Sequence, residues 1–341
     1  MLNTVYRLVA PKRFEVAFEN EEIKKNTVIV RPTYLSVCHA DQRYYQGQRP
    51  IEVLRQKLPM ALIHEAVGVV VYSATESIGV GQRVVMIPNI PTKQDDIIAE
   101  NYLRSSHFRS SGYDGFMQEL IYTTADRVLP LPEELTDEVA SFTELVSVSF
   151  HAVKRLLTFS HERREHIGVW GDGNLGYITA LILKKQLPET VVTVCGVNAE
   201  KLSNFTFVDE TMLTSEVTEN FCVDHALECV GGIGSEAAIE QIVDFIQPEG
   251  TIALLGVSEL PPKVPTRMVL EKGLRIFGSS RSGRQDFEEL LSLYHQDTEI
   301  PEYLTSLVNE VVKVRGLYDI PAAFEKDAVK QMGKIVIEWD G

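Results

Sequence analysis

Gly171-Asp172-Gly173-Asn174-Leu175-Gly176 is the stretch that decides the fold. The β-branched run 167–170 precedes it, and a helix-forming segment, 174–187, follows and stops at Pro188. A glycine turn between a strand and a helix has three physical tasks. Gly171 permits the tight turn, Gly173 lets backbone approach a pyrophosphate, and Gly176 lets helix pack closely on strand. The helix start adds free N–H groups and a positive dipole end. The whole turn, Asn174 and Leu175 included, is therefore a candidate dinucleotide site.

Outward from the turn, a strand over 191–195 completes one βαβ unit, whose crossover should be right-handed. A strand over 224–228, a helix over 235–246, strands over 251–255 and 275–278, and a helix from about Gln285 continue the alternation. Such alternation predicts an α/β domain with a doubly wound parallel sheet. The first 130 residues or so read differently. Short β-branched runs at 28–32, 66–72 and 83–87 are separated by turn residues, so this region is predicted to be β-rich. Helices begin near Asp137, the first spanning 138–157. Lys334-Ile335-Val336-Ile337-Glu338-Trp339 reads as a strand able to return to the first domain. A chain of 341 residues suits two domains. The expected division is a catalytic domain of 1–143, rejoined by 284–341, and a dinucleotide domain of 144–283.

The second strand of a dinucleotide fold commonly ends in a carboxylate that binds the ribose hydroxyls. Here the count leads to Gly196, in Val194-Cys195-Gly196-Val197-Asn198, with no carboxylate. Without that charge a 2′-phosphate meets no repulsion, and Asn198 and Lys201 can bond to it. The residues therefore favour NADP(H) over NAD(H).

A formal charge of −15 argues against nucleic-acid and anionic-membrane partners, which need a basic footprint. No window is apolar enough to span a bilayer, and the start lacks the pattern of a secretory signal. Cys38, Cys195, Cys222 and Cys229 are scattered, which suits a reduced cytoplasm better than a disulfide framework.

Cys38, the His64-Glu65 pair and Glu144 offer soft and hard donors for a metal. A lone cysteine is more often a small buried hydrophobe, and a His-Glu pair is common. Their placement relative to the glycine turn makes the set specific. Ser36-Val37-Cys38-His39-Ala40-Asp41, Ile63-His64-Glu65-Ala66-Val67-Gly68, Gly112-Tyr113-Asp114-Gly115-Phe116-Met117-Gln118-Glu119, Thr143-Glu144-Leu145 and the glycine turn carry a resemblance. Across nearly its full length the chain resembles the medium-chain, zinc-dependent alcohol and polyol dehydrogenases. That resemblance implies a GroES-like catalytic domain. It also implies zinc on Cys38, His64 and Glu144, with Glu65 a direct or water-bridged fourth ligand. Glutamate at position 144 is the polyol-type choice. With Glu65 bound as well, three anionic ligands would leave the site at about −1. No cysteine occurs over 86–111, so the structural zinc lobe of many relatives is missing and one zinc per chain is expected.

Three residues depart from the family pattern. Ile63 stands where glycine usually precedes the His-Glu pair, Ala40 replaces the hydroxyl residue that passes the alcohol proton, and Arg43 replaces a relay histidine. Water or His39 are substitutes for the relay. Arg43, Arg104, Arg109 and Arg281 are candidates to grip a phosphate, although each also reads as a solvated surface charge. Arg43 is preferred because it lies close to Cys38 in the chain.

A closer resemblance rests on longer strings: residues 38–45 (CHADQRYY), Lys57-Leu58-Pro59-Met60, Ile98-Ala99-Glu100-Asn101-Tyr102-Leu103, Phe108-Arg109-Ser110-Ser111-Gly112 and Gly278-Ser279-Ser280-Arg281-Ser282-Gly283. These are similar to the ribulose-5-phosphate reductases that make ribitol 5-phosphate for bacterial wall teichoic acid or capsule. The resemblance implies NADPH, zinc polarising the C2 carbonyl of a phosphosugar, a cytidylyltransferase partner and a homo-oligomer, commonly a dimer. Two other readings stand beside it. One is a zinc polyol or alcohol dehydrogenase with an uncharged substrate; the other is a non-catalytic dinucleotide-binding protein, for which Ala40 gives some footing.

Overall fold

The strand His166–Trp170 lies inside a six-stranded parallel sheet of the computed structural model, which describes residues 1–341. The chain divides into one unit of Met1–Ser147 with Ser282–Gly341, and a second of Val148–Arg281.

In the second unit the strand order is Glu210–Leu213, Val191–Gly196, His166–Trp170, Val223–Glu228, Ile246–Leu254, Arg275–Gly278. The chain builds outward on one side of His166–Trp170, then returns to build on the other. That reversal opens a crevice beyond the carboxyl ends of His166–Trp170 and Val223–Glu228, where doubly wound sheets bind ligands. Ile167, Val169, Val192, Val194, Ala226 and Leu227 are all buried, as strands covered on both faces require. Two expected elements differ in extent. The strand expected over 251–255 already begins at Ile246, running through Gly250, where a Cβ would meet Asp224 O at 2.7 Å. The helix expected over 138–157 is broken into Asp137–Ala140 and Thr143–Phe159. At the break Ser141 Oγ donates back to Glu138 O at 2.7 Å, a local bond that competes with helix propagation.

A histidine in this sheet makes its stability pH-dependent. His225 is fully buried, accepts Thr251 N–H on Nδ1 at 3.2 Å, and holds Nε2 3.3 Å from His161 O. Burial, then the neighbouring His161, pull its pKa from 6.5 down to about 4. Between those values the unfolded chain takes up a proton that the folded unit refuses. Its contribution is therefore complete above the ordinary value and is lost as pH falls toward about 4. Melting curves recorded from neutral to mildly acid pH should show a falling midpoint. His225→Gln should flatten that slope, and an unchanged slope would place the sensitive group elsewhere.

The first unit is β-rich. One sheet runs Val128–Pro130, Arg83–Met86, Glu65–Ser73, Thr27–Ser36, Lys334–Trp339, Val308–Val314, with Ile121–Thr124 also on Thr27–Ser36. A hairpin that composition did not suggest, Leu2–Ala10 with Arg13–Asn20, forms a separate sheet with Met60–Ala61. Register explains what the larger sheet achieves. Thr27–Ser36 is antiparallel to both neighbours, pairing Ser36 with Glu65 on one side and with Val336 on the other. The end of one strand therefore meets the beginnings of two others, which gathers Cys38, His64, Glu65 and Lys334 from distant parts of the chain. No helix is long and apolar enough to cross a membrane.

Candidate active site

Cys38 is the N-cap of the helix His39–Tyr45, immediately beyond Thr27–Ser36. Donor atoms of Cys38, His64 and Glu65 all lie within 4.8 Å of one another. Glu144, in the first turn of Thr143–Phe159, places Oε2 3.9 Å from His64 Nε2. The structure thus brings together all four residues singled out as donors. A half-buried thiol with a buried imidazole and buried carboxylates forms a donor set that suits zinc.

Asp41, which sequence reasoning passed over, organises the site. Its buried carboxylate accepts Ile63 N–H at 3.0 Å and the Ser110 hydroxyl, and stands 3.6 Å from His64 Nδ1. A carboxylate behind one ring nitrogen leaves the other to face a metal. Ile63 adopts φ 70°, the left-handed region that glycine enters freely and a β-branched residue rarely occupies. This accounts for its odd place in the motif. The Asp41 bond and a second from Phe116 N–H to Ile63 O (2.7 Å) hold the strained residue, which aims His64. The close approach also needs Gly115, where a Cβ would lie 2.3 Å from Ile63 O.

Lys334 was also missed. Its buried ammonium lies 3.0 Å from Glu65 Oε1 and 2.8 Å from Oε2. Counting zinc at +2, three anionic side chains and one ammonium, Lys334 returns the balance from about −1 to about zero. Electrostatics show the competition for positive charge. Burial would lower the His64 pKa, but Asp41 and Cys38 outweigh it and hold the imidazole well above its ordinary value. Burial pushes the Cys38 thiol up, opposed by His64. Burial also disfavours the Lys334 ammonium, yet Glu65 and Cys38 raise its pKa. A divalent cation satisfies such a cluster better than shared protons do.

The arginine candidates separate. Arg43 lies half-buried in the last turn of the helix His39–Tyr45, whose N-cap is Cys38. Arg109 bonds to the backbone carbonyls of Asp114 (3.3 Å) and Tyr122 (3.2 Å) and packs over the Phe116 ring at 5.3 Å. Burial pulls its pKa down to about 10, so we read it as structural. Arg104 is exposed, and Arg281 belongs to the second unit.

In that second unit the glycine turn has the expected shape. Gly171 has φ 132°, Gly173 caps the helix Asn174–Gln186, and a Cβ on Gly176 would lie 1.9 Å from Gly171 O. Asn174 and Leu175 form the first helical positions, half-buried. A carboxylate does reach the end of the second strand, but it comes from the turn itself. Asp172 Oδ2 accepts Val197 N–H and Asn198 N–H, each at 2.8 Å, and a Cβ on Gly196 would strike it. Both bonds fall on one oxygen and tie the turn to the loop that follows the second strand. Asn198 caps the short helix Ala199–Leu202 by accepting Lys201 N–H at 3.0 Å, which fixes both residues on one loop. Buried Glu228 is a further unforeseen organiser. It accepts N–H groups of Val230 (3.0 Å), Gly231 (2.8 Å) and Gly256 (3.1 Å), tying two loops at the carboxyl end of the sheet.

Comparison with known proteins agrees with both halves of this description. The alcohol dehydrogenase GroES-like domain matches residues 24–133, and the zinc-binding dehydrogenase domain matches residues 191–296. The chain is 53% identical over 339 residues to ribulose-5-phosphate reductase 2 of Staphylococcus aureus, covering 99% of each chain. It is 49% identical over 340 residues to the ribulose-5-phosphate reductase of Bacillus spizizenii, covering 100% of both. The crystal structure of S. aureus TarJ in complex with NADPH superimposes with a TM-score of 0.89 at 45% identity, covering 99% of each chain. Identity of that order over whole chains leaves no room for a merely shared fold: this protein belongs to the ribulose-5-phosphate reductases, within the zinc-binding alcohol dehydrogenases.

Proposed function

We propose that this protein reduces D-ribulose 5-phosphate to D-ribitol 5-phosphate with NADPH, on a zinc held by Cys38, His64 and Glu144. The observation that carries this reading is the full-length identity with ribulose-5-phosphate reductases, joined to the clustered donors of the first unit. When bound, zinc supplies Lewis acidity to the C2 carbonyl and NADPH supplies the hydride.

The chain's own residues do the rest. Asp41 orients the His64 ring, Ile63 and Ser110 hold Asp41, and Lys334 keeps the Glu65 carboxylate neutralised close by. Glu65 is thus a charge-balanced neighbour poised to approach the metal. Ala40 has no hydroxyl for the proton that the new C2 hydroxyl takes up, and we assign His39 to deliver it from solvent. The glycine turn, with Gly171, Gly173, Asn174, Leu175 and Gly176, receives the pyrophosphate. The loop of Gly196, Asn198 and Lys201 receives the 2′-phosphate, with the Asn198 amide and the Lys201 ammonium as its donors.

The reading extends to a homodimer and to a cytidylyltransferase partner that converts the product to CDP-ribitol for wall teichoic acid or capsule. Both rest on the resemblance. The compartment it requires is the cytoplasm, where NADPH is supplied.

The test is NADPH oxidation by zinc-loaded protein with ribulose 5-phosphate, beside NADH and unphosphorylated ribulose. Fast turnover with NADPH and the phosphosugar alone is expected. Equal rates on unphosphorylated ribulose would leave a zinc polyol dehydrogenase and remove the phosphosugar.

A further inference from the structure

In a chain of net charge −15, the surroundings of His39 are an exception. The charges acting on its imidazole are those of Arg43, Lys330, Asp327 and Arg49, three cations against one carboxylate. Local geometry builds this cluster. His39 and Arg43 are four residues apart on the helix His39–Tyr45, so they share a face. Gln42, on the same helix, donates from Nε2 to Phe324 O at 2.7 Å and to Asp327 Oδ2 at 3.1 Å. Those bonds dock the helix against Ile320–Val329, whose C-cap is Lys330. The Lys330 ammonium bonds Asp327 Oδ1, so the one carboxylate is engaged from two sides. Arg49 lies over the Tyr44 ring, its guanidinium carbon 4.9 Å from the centroid, which restricts the side chain to that wall.

We propose that Arg43, Arg49 and Lys330, grouped around His39, form the cradle for the phosphate of the sugar substrate. This rests on the reading of ribulose 5-phosphate as substrate. Guanidinium forks match the oxygens of a phosphate, and a point charge from lysine completes the balance against a dianion. The position also fits. Arg43 follows Cys38 by five residues, roughly 7.5 Å along a helix axis at the usual rise. That distance is comparable with the span from C2 to phosphorus in an extended pentulose 5-phosphate. A sugar with C2 at the Cys38 cluster can therefore reach Arg43 with its phosphate. A phosphate dianion offsets the excess of cations over carboxylate in this cluster and an unphosphorylated polyol does not, which makes the cluster a device for selecting phosphorylated sugars.

The experiment compares wild type, Arg43→Gln, Arg49→Gln and Arg49→Lys as zinc-loaded enzymes, with melting curves and metal content as folding checks. The glutamine variants should raise the KM for ribulose 5-phosphate at least tenfold while the KM for NADPH stays within twofold. The ratio of kcat/KM for ribulose 5-phosphate to that for ribulose should fall at least tenfold. Arg49→Lys, keeping charge but not the fork, should fall between. Inorganic phosphate should compete with the sugar in the wild type, a readout independent of any variant's folding, and should compete less in Arg49→Gln. Phosphate competing only with NADPH, or variants raising only the NADPH KM, would assign the cluster to the cofactor and overturn the proposal. Variants that retain the wild-type preference for phosphorylated sugar would also overturn it. A wild type indifferent to the sugar's phosphate would instead defeat the substrate reading, so the two failures are distinguishable.

Discussion

Cys38→Ser is expected to lose zinc and to lower turnover well beyond the roughly 10- to 100-fold typical of changes one layer further from a metal. Thiolate is the metal-binding form of cysteine, and a serine hydroxyl stays protonated at neutral pH and is a far poorer zinc donor. The substitution also removes the one soft donor from a set whose other members are an imidazole and carboxylates. Neighbouring structure should survive, because Cys38 caps its helix largely through backbone: Gln42 N–H donates to Cys38 O at 3.0 Å. Metal content and NADPH oxidation on the same preparation check the result. A serine variant that keeps zinc and full turnover would refute the ligand assignment, and with it the proposed chemistry.

Lys334→Met should be the most destabilising single change at this site. Lys334 and Glu65 form an ion pair of 2.8 Å, with side chains only 3% and 0% exposed. Breaking such a pair from one side strands a buried carboxylate, typically at about 3–5 kcal/mol. Replacing both partners removes the stranded charge. Glu65→Gln combined with Lys334→Met should therefore recover much of the loss, although each single variant is damaging. Urea unfolding of the three variants measures this directly. A Lys334→Met protein with the wild-type midpoint would mean that the pair does not carry the charge of Glu65.

The helices and strands around the glycine turn were legible because their signals are local. A β-branched run, a turn that only glycine can make and an amphipathic or buried helix each announce themselves within about fifteen residues. The terminal strand Lys334–Trp339 was legible for the same reason. The break at Ser141 and the N-terminal hairpin were not, since the first depends on one hydroxyl turning back to Glu138 and the second on a partner sheet for its apolar face.

In the site, Cys38, His64, Glu65 and Glu144 stood out as candidate donors through the motifs that carry the family resemblance and their placement relative to the glycine turn, since each residue type alone has commoner structural uses. Asp41, Asp172, Glu228 and Lys334 stayed hidden. On a string of letters each reads as a solvated charge, and what distinguishes them is burial together with backbone N–H groups or a counter-charge supplied from elsewhere in the fold. Ile63 was noticed as a departure, but its meaning needed the backbone angle.

By itself, then, the order of amino acids determined the kinds of element and the dinucleotide turn, both properties of short segments, and offered the candidate donors through family motifs. Only the tertiary structure decided which charges neutralise one another and how His64 is aimed. Those depend on antiparallel register, which sets Ser36 beside both Glu65 and Val336 and makes neighbours of residues hundreds of positions apart.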